Sequence, residues 1–283
     1  MVRKLFVTDI DETLSVGEAV SEEVQEACCR LKNGGWDVMI ATGRTFGTAR
    51  NHMKAASATQ PAVLYDGGRI MSMKGGEIYS ALLDVSTVGK ILDAIWDMPF
   101  EIQITGDEEI YCRESDKETA HFYGQAGVPV HYIETPRAAA PVYRIGLWIK
   151  PEKLPAVENE VKKLFGDVTE VTAGGEAFLD ILPKGVSKGS ALERFVSTLP
   201  KRPEVIVAAG DHNNDLSMLQ YADFAAAPLN ASPSVLLAAD FVMPRADENG
   251  ICSLIDYILS PEFEAGRSGG ESYRGERYGG ERP

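Results

Sequence analysis

Asp9 and Asp11 stand two residues apart where a short apolar run, Leu5, Phe6 and Val7, gives out. In extended chain their carboxylates leave on the same side, so one site can use both. A second apolar run, residues 205–208, ends in the same manner at Gly210 and Asp211, followed by His212, Asn213, Asn214 and Asp215. Thr42 and Gly43 close the run 38–41, and Lys188 sits in the segment Gly185, Val186, Ser187, Lys188, Gly189. Carboxylates, a hydroxyl and a lysine at strand ends suit phosphoryl transfer. That reaction needs an in-line nucleophile, positive charge against the phosphate oxygens and a proton for the leaving group. Magnesium takes oxygen ligands, accepts one or two carboxylates and leaves the rest of its shell to water and phosphate. Asp9 and Asp211 match that count. Asp9 is read as the group that attacks phosphorus, giving an aspartyl phosphate. Asp11 is read as protonating the leaving oxygen and then activating water. Charge and spacing alone leave these two roles interchangeable. Thr42 can hydrogen-bond a phosphate oxygen, and Lys188 supplies compact positive charge beside the transferring group.

Each segment has a plainer reading by itself. Asp9 to Thr13 could be a turn or helix cap, Thr42 and Gly43 a strand-to-helix turn, and Lys188 an exposed lysine at a helix start. Their order along the chain, each on a suitable element, favours the shared site. A calcium loop is excluded, because it would need Gly at Leu14 and Glu at Val20. Residues 185–189 also fit G-x-S-x-G, the nucleophile elbow of serine hydrolases. That reading requires an acid and then a histidine later in the chain, and here only His212 follows, directly beside Asp211. His212 reads as a loop side chain.

The order D-I-D-E-T, A-T-G-R, G-V-S-K-G and G-D-H-N-N-D resembles the haloacid dehalogenase superfamily of phosphohydrolases, in particular its Cof-like branch with a large inserted cap (type IIB). The resemblance extends to about residue 260. It implies an Asp9 nucleophile that also binds metal, and an Asp11 acid/base whose backbone carbonyl reaches the metal. It further implies Asp211 as the remaining metal ligand, Asp215 orienting the metal shell, and Ile10, Thr42, Gly43, Lys188 and Asn214 around phosphate. Two positions depart from the pattern: Glu12 stands where the family usually has Gly, and Tyr65, Asp66, Gly67 and Gly68 where Asn-Gly-Ala is common. Sugar phosphates are the substrate class the resemblance implies. Cofactor phosphates such as pyridoxal phosphate or flavin mononucleotide, a phosphomutase, and a non-catalytic sensor of a phosphorylated metabolite stay open beside it. Arg44, Asp66, Arg144, Asp180 and Lys184 are candidates for substrate contact at the hinge and rim.

A formal charge of -14 argues against nucleic acid or an anionic membrane surface as partner, since both need concentrated positive charge. The expected partner is a small phosphorylated metabolite, drawn by local charge from Mg²⁺, Lys188 and Arg44. Four cysteines without disulfide or metal spacing, no signal-peptide core and no long apolar segment read as a cytoplasmic protein, monomeric or weakly homo-oligomeric.

The elements that must position these groups follow from periodicity. Ser21 can cap a helix that places Val24, Ala27, Cys28 and Leu31 on one face, and Gly34 and Gly35 end it. Strand and helix alternate through residues 37–65 and again through 187–259, which predicts parallel pairing by right-handed crossovers. Between residues 83 and 185 alternating strands appear, with helices interspersed. The fold class expected is therefore α/β, a Rossmann-like parallel-sheet core (1–82 and 186–262) with an inserted α+β cap (83–185). Residues 263–283, rich in Gly, Arg, Glu, Ser and Tyr, read as a solvated, disordered tail.

Overall fold

A computed structural model describes residues 3–137 and 141–268. The chain opens with β1 (Lys4–Thr8), α1 (Glu22–Asn33), β2 (Asp37–Ile40), α2 (Phe46–Ala55) and β3 (Ala62–Leu64). β1 is apolar on both faces: Leu5 and Val7 enter one core cluster, while Phe6 enters another on the opposite side. That is what a strand between two helix layers requires. Ser21 caps α1 by accepting from the Val24 amide, and the helix buries the four residues expected of it. A hairpin not foreseen from periodicity follows, β4 (Arg69–Met71) and β5 (Glu77–Ser80).

The insert contains α3 (Val85–Ile95), β6 (Glu101–Thr105), β7 (Ile110–Cys112), α4 (Lys117–Gln125), β8 (Val130–Tyr132), β9 (Arg144–Trp148), α5 (Leu154–Phe165), β10 (Thr169–Ala173) and β11 (Phe178–Pro183). Its six strands form one sheet in the order β10-β11-β9-β6-β7-β8, antiparallel except for β7 beside β8. It has its own core, built around Ile104, Ile145, Leu147 and Ile181. The insert is thus α+β.

The chain then returns through α6 (Lys188–Thr198), β12 (Val205–Ala209), α7 (Leu216–Tyr221), β13 (Phe224–Pro228), α8 (Pro233–Ala238), β14 (Phe241–Met243), α9 (Ile251–Ile258) and α10 (Pro261–Ser268). All pairs in the core sheet β14-β13-β12-β1-β2 are parallel. β1 is flanked by β2 on one side and β12 on the other, so the order reverses there. In open α/β sheets such a reversal leaves a crevice at the carboxyl ends of the strands, where ligands bind.

Residues 263–268, expected to open a disordered tail, are instead part of α10. Phe263 on α10 is fully buried, its ring 5.4 Å from Phe224, 5.6 Å from Tyr257 and 6.1 Å from Trp36, and Glu264 pairs with Lys4. Residues 269–283 lie outside the described residues. Among the described residues no helix is long and apolar enough to cross a membrane.

Candidate active site

Thr8 of β1 pairs with Ala209 of β12, so the residues just past each strand meet. The Asp9 amide donates to the Ala209 carbonyl at 3.0 Å, and carboxylate oxygens of Asp9, Asp211 and Asp215 lie within 4.8 Å of one another, all buried. Gly210 makes this approach feasible, since a Cβ there would lie 2.5 Å from the Cβ of Asp215. Asp215 Oδ2 accepts from the amides of Asp211 and His212 at 3.0 and 3.1 Å. Its Oδ1 accepts from Lys188 Nζ at 2.7 Å, and the same ammonium donates to Asp9 Oδ1 at 2.8 Å. Lys188 is held in place because it opens α6, which Ser187 caps by accepting from the Ser190 amide at 3.1 Å. Ser187 is therefore a cap rather than an elbow nucleophile.

Five carboxylates are buried here, those of Asp9, Asp66, Asp180, Asp211 and Asp215, against two cations, Lys188 and Arg144. Burial raises Asp9 well above the usual carboxylate range, with Lys188 opposing and Asp215 and Asp211 adding to the rise. Asp211 is pushed up to about 8, by burial first and then by Asp215. Burial also lifts Asp180 to about 6. For Lys188 burial works against the charge, but Asp215, Asp9 and Asp66 outweigh it and hold its pKa well above the ordinary lysine value. Crowded, buried carboxyl groups that resist ionisation are the environment that a divalent cation of the magnesium type relieves, because it stabilises their charged forms. The donor set fits such an ion.

The side chain of Asp11 stays outside this cluster, half-exposed at the cavity mouth. Arg44 grips it with two bonds, Nε to Oδ2 at 2.9 Å and Nη2 to Oδ1 at 2.7 Å, and also reaches Glu18 at 3.1 Å. The Arg44 guanidinium, expected to contact substrate, is thus engaged with the neighbouring carboxylates. The cavity above the cluster, about 740 Å³, is bounded below by Asp9, Gly43, Lys188 and Asp211 and roofed by Gln103, Tyr123, Arg144, Phe178 and Asp180 of the insert. Arg144 Nη1 lies 3.0 Å from Asp66 Oδ2 and 3.4 Å from Asp180 Oδ1, and Asn214 Nδ2 donates to Asp66 Oδ1 at 2.9 Å. Asp66, Arg144 and Asp180 are therefore brought together at the cavity. Lys184 is not: its ammonium donates to the Gly166 carbonyl at 2.7 Å and lies beside Glu170, away from the cavity lining. Thr42 is fully buried with its hydroxyl accepting from the Arg44 amide at 3.2 Å, and Ile10 points its side chain into the core while its carbonyl accepts from the Leu14 and Ser15 amides at 2.9 and 3.0 Å.

The sequence profile of the haloacid dehalogenase-like hydrolases matches residues 6–255. The chain belongs to that family. It is 25% identical over 288 residues to the 5-amino-6-(5-phospho-D-ribitylamino)uracil phosphatase YwtE of Bacillus subtilis (strain 168), covering 92% of this chain and 99% of the relative. YbjI of Escherichia coli (strain K12), which carries the same activity name, is 22% identical over 270 residues, or 92% and 97% of the two chains. Among solved structures, SMU.1108c of Streptococcus mutans superposes with a TM-score of 0.81 at 20% identity, over 91% and 100% of the two chains. The subclass IIB sugar phosphatase BT4131 gives 0.76 at 22% identity, over 91% and 99%. The resemblance to the haloacid dehalogenase superfamily and its Cof-like branch holds.

The two departures from the family pattern now have a physical setting. Glu12 has φ 57, and Tyr65 and Asp66 have φ 52 and 54, left-handed conformations that glycine adopts without strain. Sequence reasoning attached no role to Thr13, whose hydroxyl donates to Asp211 Oδ1 at 2.9 Å. It also missed Gln103 and Glu108 of the insert. Both lie in a strand-turn segment whose pattern reports burial, not what it faces in the other half of the enzyme.

Proposed function

We propose that this hydrolase is a magnesium-dependent phosphatase of small phosphate monoesters, sugar phosphates foremost, working through an aspartyl phosphate on Asp9. The observation that carries the reading is the Asp9 carboxylate on the cavity floor, sharing the Lys188 ammonium with Asp215 and lying within one ligand sphere of Asp211. Asp9, Asp211 and the Asp11 backbone carbonyl would hold Mg²⁺, which supplies charge that lets a phosphate dianion approach the carboxylates.

Lys188 neutralises phosphate oxygens from the side of the floor, with Gly43, Thr42, Asn214 and the Ile10 backbone completing the cradle. One Asp9 oxygen attacks phosphorus as the bond to the leaving oxygen breaks. Asp11, whose side chain lies outside the acidic cluster, gives that oxygen its proton once it has parted from Arg44 and taken one up, because a carboxylate held by both guanidinium prongs has none to give. It then takes a proton from water as the water oxygen attacks phosphorus and releases Asp9. The roofing residues of the insert contact the leaving group and set specificity, while the core supplies chemistry.

A second reading, a 5-amino-6-(5-phospho-D-ribitylamino)uracil phosphatase, is favoured by two features. YwtE and YbjI bear that activity in their names, and Phe122, Tyr123 and Phe178 give the cavity an aromatic wall on which a heterocycle could stack.

Phosphate release from a panel of monoesters should require Mg²⁺ and stop in EDTA. With an activated aryl phosphate, Asp11→Asn should accumulate an acid-stable, base-labile adduct on Asp9, and hydrolysis should slow about 10²- to 10⁴-fold. Asp9→Asn should show neither adduct nor turnover. An adduct on another residue would overturn the mechanism.

A further inference from the structure

The insert joins the core covalently at two crossings, near residues 83 and 185. A third attachment has no covalent bond. It is made by Glu108, in the turn between β6 and β7. Glu108 Oε2 accepts from the Gly47 amide at 2.7 Å, and Oε1 accepts from the Phe46 amide at 3.0 Å and from the Tyr65 hydroxyl at 3.1 Å. The Glu108 amide in turn donates to the Tyr65 hydroxyl at 3.3 Å. Beside it, Asp107 Oδ1 lies 2.5 Å from Arg69 Nη1 of the core.

What Glu108 holds matters more than the bonds themselves. Phe46 and Gly47 open α2, where the first amides lack helical partners and a carboxylate is favoured by the helix dipole. That turn follows directly on Gly43, Arg44 and Thr45, which line the cavity. Tyr65 and Asp66 are consecutive left-handed residues, and Glu108 itself has φ 60. Such backbone persists only where surroundings over-determine it. The Asp66 amide donates to the Thr42 carbonyl at 3.2 Å and the Tyr65 amide to the Arg44 carbonyl at 3.4 Å, so the two core segments are already knit together. Asp66 then carries the geometry onward, to Asn214, to Arg144 of the insert, and to within 3.9 Å of Lys188.

We propose that Glu108 is a positioning residue for the phosphatase reaction. By bridging the first turn of α2 and the Tyr65 hydroxyl, it docks the insert on the core and fixes the strained Tyr65 and Asp66 turn that aligns Asp66 with Arg144. The kinetic part of this proposal rests on the phosphatase reading above; the docking part does not. Because the amides it binds lie near the surface, water can replace it.

Glu108→Ala, Glu108→Gln, Tyr65→Phe and the double variant Glu108→Ala with Tyr65→Phe separate the outcomes. Expected for Glu108→Ala and Tyr65→Phe is a rise in KM of about tenfold with kcat changed by less than about threefold. The double variant should be no worse than the poorer single one, because both break one shared contact. Glu108→Gln, which keeps an acceptor for Tyr65, should recover part of the loss. Amide hydrogen exchange of the full chain with Mg²⁺ and inorganic phosphate gives a second readout, independent of turnover. Protection at residues 46–47 and 65–68 should fall in Glu108→Ala, while the strands β6 and β9 stay protected. Unchanged exchange at those residues, additive losses in the double variant, or exchange rising throughout the insert would each overturn the proposal. The last outcome would make Glu108 part of the insert's own folding.

Discussion

Thr13 shows how a side chain that touches no substrate can govern a site. Its hydroxyl fixes one oxygen of Asp211, leaving the other oxygen free to meet a cation. Thr13→Val keeps the shape and removes the donor. Mg²⁺ affinity, read by titrating activity or by calorimetry, should weaken about 10- to 100-fold, and circular dichroism should be unaltered. An unchanged affinity would mean that Asp211 needs no orienting partner. The contrast with what the sequence discloses is instructive. Asp9 and Asp211 were legible because each ends an apolar run, and Lys188 because it opens a helix. Thr13 was in view within the same motif, but its partner lies 198 residues away and no local pattern links the two. Arg44 was legible as a cation near the site, whereas its two-pronged hold on Asp11 depends on how β1 and β2 align.

At the scale of elements, α10 is where burial overrules composition. Past residue 263 the chain turns to Gly, Arg and Glu, with no apolar period to signal a helix. One aromatic residue, Phe263, nevertheless fills the space between Trp36, Phe224 and Tyr257. Emptying such a site costs both transfer energy and a cavity. Phe263→Ala should destabilise the enzyme by about 3–5 kcal/mol, seen as a lower midpoint in urea with unchanged slope. Ending the chain after Pro261 should cost at least as much, and wild-type stability in either variant would show that α10 is not part of the core. The parallel strands were legible for the opposite reason: buried on both faces, they read as unbroken apolar runs. The β4 and β5 strands are three and four residues long, and residues 169–173 alternate only weakly, so tertiary pairing rather than local preference made them strands.

Taken as a whole molecule, the enzyme carries a formal charge of -14 and concentrates buried carboxylates where, in the proposed reaction, a phosphate dianion would enter. Both features work against phosphate binding until a cation is present, which ties stability, metal and pH together. Burial and Asp215 raise Asp211 from 3.8 to about 8 in the folded, metal-free protein, so between those values the folded state holds a proton that the unfolded chain has released. Stability then falls as pH rises through that window, because the folded state is the one binding more protons. Magnesium bound as proposed would reverse the sense, since it would take the ionised carboxylates and compete with protons for them. The thermal shift on adding saturating Mg²⁺ should therefore be small near pH 6 and grow toward pH 8.5. Asp211→Asn should flatten that growth, because the group whose proton is displaced is gone. A magnesium shift of equal size at both pH values in the unaltered enzyme would show that these carboxylates are already ionised without metal, or that the cation sits elsewhere.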